Sequence, residues 1–405
     1  MIGNRIKQAR VATGMTQDEV VAALQSQEGL TLTKAGLSKY ERGGSNPKPV
    51  LMRALARVLG VTADFFLDES QVQVEWLAFR KSAGLNKSQQ ERIKTVAAAH
   101  AEAFVTLRRA LEPNRKIGSP NRTHVQTPED AEKAADALRD RWGLGGQPIE
   151  SVTTAIEDGG GIVVETGGEE DLFDGLSGWA DGATPVVVVS IAVSDDRRRF
   201  SLAHELGHLF MDVGDVTGKA EERLAHRFAA AFLVPAATAR RELGENRRHL
   251  DFRELALLKL KHGLSMQAWI MRCTDLGIIE QSHAGTLFTE MSTRGWRKEE
   301  PVKFQGRERP ARMRQLTVRA LAEGLLSTTQ AERLCPGVLQ DWVDSHPAVP
   351  GSIDARSLMK LPKEERDRLM QQAAALVEDD YRADGGLGGF EALSEEDHRD
   401  DSVEG

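Results

Sequence analysis

The chain has 405 residues, too many for one ordinary core and enough for two or three domains. No run of about 18 uninterrupted apolar residues occurs, and no apolar block follows the scattered basic residues near Met1, so the expectation is a soluble, cytoplasmic protein without membrane contact. Its two cysteines, Cys273 and Cys335, stand outside any C-x-x-C pair; this excludes a disulfide framework and a cysteine-based zinc site and leaves His and carboxylates to hold any metal.

The formal charge of −8 is unevenly placed. Residues 378–405 hold eleven acidic residues against Arg382 and Arg399, whereas residues 1–68 hold nine basic and six acidic ones. A mildly basic front end suits a nucleic-acid surface, and the acidic stretch at 381–405 reads as a solvated, disordered tail.

Five short helices are expected over residues 1–68. The first covers 2–12, and the second opens on the Thr16/Glu19 capping box. A third runs from Thr33 to Gly43, a fourth from Pro49 to a stop at Gly60, and a last turn covers 62–67. An amphipathic helix follows at 88–111, and 112–129, rich in Pro, Asn, Arg and Ser, reads as a linker, so 69–126 is taken as a helical connector. Helices at 128–142 and 149–157 precede strands at 161–165, 176–180 and 185–191. Helical patterns resume at 198–212, 220–232, 252–276 and 311–334. The fold class expected is multidomain: an all-α front domain, an α+β domain over 127–243 with a small sheet beside its helices, and a helical C-terminal region over 244–380.

Phe200-Ser-Leu-Ala-His204-Glu205-Leu-Gly-His208 contains His-Glu-x-x-His in a helical context, which sets two imidazoles one turn apart on one face, within reach of a single ion. Glu205, beside the first of them, is placed to take a proton from a zinc-activated water. A catalytic zinc needs a third protein ligand. The next helix offers Glu222, with Glu221 as its competitor, and carries His226 one turn on, a candidate oxyanion-stabilising or ligand-supporting group.

Phe173-Asp-Gly-Leu-Ser-Gly-Trp179, the strand Pro185 to Ser190, Asp196 to His208 and the block Glu222 to Pro235 together resemble the ImmA/IrrE family of metallopeptidases. The resemblance implies a zincin-like fold with Zn2+ held by His204, His208 and Glu222, and Glu205 as the catalytic base. That family usually carries Asn where this chain has His226. At the front, Thr16-Gln17-Asp-Glu19 and Leu37-Ser-Lys-Tyr-Glu41-Arg42-Gly43 resemble the lambda-repressor-like (XRE) helix-turn-helix family. Its third helix presents Thr33, Lys34, Ala35, Ser38 and Lys39 outward, the types that reach base edges and phosphates, and Gln17 is placed for a phosphate. Two departures stand out: a turn lengthened by residues 25–30, and Gly36 inside the third helix.

The expected partners are double-stranded DNA and a repressor protein as substrate. Paired half-sites call for a homodimer, with the 88–111 helix as the candidate contact. By resemblance, the function expected is a regulatory endopeptidase that cuts a helix-turn-helix repressor and releases stress or mobile-element genes. The alternative is a transcriptional regulator whose peptidase-like domain serves as sensor or dimerisation module without proteolysis. Residues 293–376 carry only helical packing signals.

Overall fold

The computed structural model describes residues 2–67, 72–81, 86–114, 121–166, 173–339 and a few positions between 362 and 371. The tail expected at 381–405 lies outside them.

The front domain consists of α1 (Ile2–Thr13), α2 (Gln17–Glu28), α3 (Lys34–Glu41), α4 (Pro49–Val58) and α5 (Ala63–Leu67) around a core of Ile6, Val20, Leu24, Leu37, Leu55 and Phe66. The capping box forms as the sequence implies: Glu19 N donates to Thr16 Oγ1 at 3.2 Å and Thr16 N to Glu19 Oε2 at 2.6 Å. The turn into α3 is shorter than expected. Residues 25–28 extend α2, and Gly29, left-handed at φ 66°, closes it. Gly36 has a packing reason: a Cβ there would lie 3.0 Å from Leu32 Cδ1, so the bare backbone admits Leu32 against α3.

The connector is not all helical. It begins with β1 (Val74–Lys81), continues as α6 (Lys87–Leu111) and ends with β2 (Thr123–His124). Then follow α7 (Pro128–Arg141), α8 (Val152–Asp158), β3 (Ile162–Thr166), β4 (Phe173–Ala180), β5 (Thr184–Ser190), α9 (Asp195–Phe210), β6 (Met211–Asp212) and α10 (Lys219–Leu233). The main sheet has the order β1-β4-β5-β3; β3 and β5 are parallel, and β4 is antiparallel to both its neighbours. Side chains alternate along its strands. Val163, Val187 and Val189 face a core shared with α7, α9 and α10, while Ile162, Val164, Val186 and Val188 face α6. Burial on both faces explains the uninterrupted valine run of β5.

The apolar stripe of α6, through Ile93, Ala97, Ala101, Phe104 and Val105, is consumed by this second core. It is therefore not the free dimer contact expected of the 88–111 helix. The polar side of α6 holds the front domain: the Arg5 guanidinium donates twice to Glu102, at 2.8 and 2.5 Å, and lies 4.9 Å over Phe65.

After α11 (Ala236–Leu243), the single helix expected over 252–276 is broken into α12 (Phe252–His262) and α13 (Met266–Asp275). Gly263 makes the break at φ +67°; a Cβ there would meet Arg199 and Phe304 at 2.5 to 2.8 Å. Next come α14 (Gln281–Thr293), α15 (Arg312–Ala322) and α16 (Thr328–Leu334). Residues 297–311 are a non-helical strap fastened by buried carboxylates. Glu300 accepts from Met266 N, Gln267 N and Lys259 Nζ, capping α13. Glu308 accepts from Val152 N and Thr153 N at the start of α8 and from Arg199 Nη1 at 2.6 Å. The C-terminal helices are thereby tied into the core around α9 rather than set apart from it.

Arg199 and Glu308 are both fully enclosed, with side chains 1% and 0% exposed. Removing one partner leaves a buried charge uncompensated. Glu308→Ala is expected to cost about 3–5 kcal/mol in urea unfolding of the full chain; a cost below about 1 kcal/mol would contradict this role for the strap.

Candidate metal centre and nucleic-acid interface

Helix α9 is held rigidly at its start. Arg198 donates to Glu165, Ile191 O and Glu308 O, and Arg199 to Ile149 O, Glu150 O and Glu308. This accounts for two of the three arginines that precede the motif, Arg198 and Arg199. One turn further on, His204, Glu205 and His208 are buried, and His204 is fully so. Helix α10 crosses α9 at Gly207, where a Cβ would lie 3.3 Å from Ala225 Cα. Its far end is pinned by two buried guanidiniums: Arg139 donates to Phe232 O at 2.5 Å and Arg272 to Val234 O at 3.1 Å. With α9 fixed at its start and α10 at its end, the first turn of α10 faces the motif histidines.

The potential ligand atoms converge. His204 Nε2 and His208 Nε2 are 3.1 Å apart, and the Glu222 carboxylate spans them, Oε2 3.3 Å from His204 Nε2 and Oε1 3.6 Å from His208 Nε2. Ligands about 2.0–2.2 Å from a tetrahedral ion sit about 3.3–3.6 Å from one another; both Glu222 spacings fall in that range and the His204–His208 spacing is slightly shorter, and two imidazoles with one carboxylate are the donor set of an open zinc site. Glu221 approaches a different atom, its Oε1 lying 3.4 Å from His208 Nδ1. It is therefore placed to orient the ring, not to share the ion.

His226 joins this group. Its Nδ1 is 2.6 Å from Glu222 O, and because a carbonyl only accepts, Nδ1 carries the proton and Nε2 keeps its lone pair in the neutral ring. The ring lies 4.6 Å from that of His204, and ligand atoms of His204, Glu222 and His226 fall within 4.8 Å of one another. His226 also borders an open cleft of about 1420 Å³ between α9, α10, α13 and the strap, lined by Phe200, Arg223, Arg227, Met271 and Phe304 among others.

Two residues assigned no role above bear on Glu205. Ser177 Oγ donates to Glu205 Oε2 at 2.7 Å, and a Cβ on Gly175 would fall 2.3 Å from Glu205 Oε1. Strand β4 thus supplies a donor that orients the carboxylate and a gap that admits it. The signal was present in the Gly175-Leu-Ser177 spacing, which puts both residues on one face of a strand.

On the front domain, Thr33, Lys34, Ala35 and Lys39 of the α3 region are exposed and Ser38 is half-buried. Thr33 caps α3, its hydroxyl accepting from Gly36 N at 3.1 Å, and Lys34 pairs with Asp18 across 2.6 Å at the surface. Gln17, expected at a phosphate, also has a partner within the domain. Its Nε2 donates to buried Glu41 at 2.7 Å, beside Arg10, so that amide is engaged in holding α2 against α3.

These two constructions have counterparts among known proteins. Residues 6–66 match the helix-turn-helix family, and residues 163–274 match the IrrE N-terminal-like domain of peptidase family M78, beginning and ending later than the 127–243 expected for the peptidase domain. The chain thus carries one segment similar to the helix-turn-helix family and another similar to the M78 peptidase-like domain, each over less than half its length. It is similar to an SPbeta prophage-derived uncharacterized HTH-type transcriptional regulator, YonR of Bacillus subtilis (strain 168), being 31% identical over 75 residues. That match covers 18% of this chain and 64% of the relative. No solved structure matches the chain significantly. No helix among the described residues is long and apolar enough to cross a membrane.

Because Glu205 is buried, its loss of a donor should register in stability. Ser177→Ala is expected to cost about 1–3 kcal/mol, and Gly175→Ala to displace the Glu205 carboxylate in a crystal structure of the variant. An unmoved Glu205 in Gly175→Ala would contradict the fit described.

Proposed function

We propose that the chain is a DNA-bound, zinc-dependent endopeptidase that cleaves a helix-turn-helix repressor and so releases the genes it silences. The observation that carries this reading is the meeting of His204, His208 and Glu222 around one point, with Glu205 buried beside it. Zinc, when bound there, supplies positive charge that acidifies a water and polarises a peptide carbonyl.

The chain's own groups do the rest. Glu205, oriented by Ser177, takes a proton on its carboxylate from the attacking water and passes it to the departing amine nitrogen. His226, with its Nδ1 proton committed to Glu222 O, offers a ring one turn along the same helix to the developing oxyanion or to the ligand shell. Its Nε2 donates to an oxyanion only when the ring is protonated. The front domain, through Thr33, Lys34, Ala35, Ser38 and Lys39, places the peptidase at the operator where a repressor would be bound. The likeness to a prophage HTH-type transcriptional regulator supports the regulatory setting.

Elemental analysis should find about one zinc per chain in wild type, lost in His204→Ala and Glu222→Ala. Glu205→Gln is expected to keep the metal while fragments of a helix-turn-helix repressor disappear from terminal-peptide proteomics of cells expressing it. Equal fragments with Glu205→Gln, or no zinc in the reconstituted wild type, would overturn the reading. For DNA, Lys34→Ala and Lys39→Ala should each lower the slope of log K against log salt by about 1; unchanged slopes would remove these lysines from the interface.

A further inference from the structure

Strand β4 is the part of the sheet that touches Glu205, and without β1 it would be the sheet's open edge. An antiparallel edge strand is a template for an extended peptide, which adds to it through main-chain hydrogen bonds. We propose that β1, the chain's own connector, fills this lane and holds the site self-blocked until it departs. What the lane is for rests on the peptidase reading; its occupancy by β1 does not.

The register places the block at the site. Ala78 lies opposite Ser177 and Arg80 opposite Gly175, the two β4 residues that contact Glu205. The seat is built for this strand: a Cβ on Gly178 would fall 2.5 Å from Glu75 O and 2.8 Å from Trp76 Cε3, so only glycine lets β1 lie this close. Val74 and Trp76 pack into the core beneath α6 and anchor one half of β1.

The other half is held less regularly. Pairing slips between Trp76 and Ala78 and again between Arg80 and Lys81, leaving Leu77 40% exposed. The part of the strand opposite Glu205 is thus the part with the broken ladder, where pairing is weakest. The strand is also tethered to the DNA-binding domain, lying between α5 and α6, and α6 grips α1 through Glu102 and Arg5. A displacement of the front domain from α6 would act directly on β1.

The test compares full-length wild type with Trp76→Ser and Gly178→Ala, which attack the same seat from opposite strands. Hydrogen exchange of the amides in 173–180 is expected to quicken at least tenfold in either variant, with α9, α10 and zinc content unchanged. A synthetic peptide of residues 72–81, added in trans, should restore protection. Zinc-dependent hydrolysis of casein should rise at least fivefold in the variants and fall again with the peptide.

Unchanged β4 protection in both variants, or no protection by the peptide, would overturn the occupancy. An active wild type whose variants are no faster would overturn the block. If no form cleaves casein while exchange and peptide rescue behave as expected, the occupancy stands and the peptidase reading falls.

Discussion

Helices α9 and α10 meet at Gly207 with no side chain between the backbones, and the distance this sets is the constraint on which the candidate site depends. Two imidazoles on one helix cannot complete a zinc site; the third ligand has to come from a separate element held at a fixed height. The fixing is done far from the ligands, by Arg139 and Arg272 gripping the carbonyls at the end of α10 and by Arg198 and Arg199 gripping the start of α9. Each of these guanidiniums is almost wholly buried and can be so only because several carbonyls or a carboxylate meet it. Burial lowers the pKa of Arg139 to about 10, which still leaves it charged near neutrality. The protein thus spends its costliest buried groups on the geometry of two helices.

Much of this was legible in the sequence, for reasons that differ by element. The His204, Glu205 and His208 spacing is helical arithmetic and needs no tertiary information. Glu222 could be ranked above Glu221 by resemblance, but only the crossing of α9 and α10 shows the physical difference: one carboxylate spans both Nε2 atoms while the other meets a ring's far nitrogen. The capping box at Thr16 and Glu19 was readable because it is local. The bond from Gln17 to Glu41 was not readable, because Glu41 is 24 residues away and its burial is a tertiary fact.

The larger omissions share one cause. Strand β1 carries an alternation of Val72, Val74 and Trp76 with Gln73 and Glu75, yet Leu77 and the bulge blur it, and it sits in a stretch dominated by the long α6. The strap over 297–311 has no periodicity at all; its order comes from Glu300 and Glu308 capping helices that lie 30 to 160 residues away in the chain. Period and propensity reveal elements that are self-sufficient. They are silent about segments whose structure is supplied by what they cap or pair with.

With these pieces in place, the chain reads as one physical argument from front to back. Helix α3, proposed to face DNA, belongs to a domain seated on α6, α6 closes the sheet, and the sheet's β4 supports Glu205. The most direct test of the central claim is zinc K-edge X-ray absorption on the metal-loaded full chain. The account predicts a four-coordinate shell of nitrogen and oxygen at about 2.0–2.1 Å with imidazole scattering, reduced in His204→Ala and His208→Ala. A sulfur-containing shell, an all-oxygen shell, or a spectrum unchanged by those substitutions would contradict it.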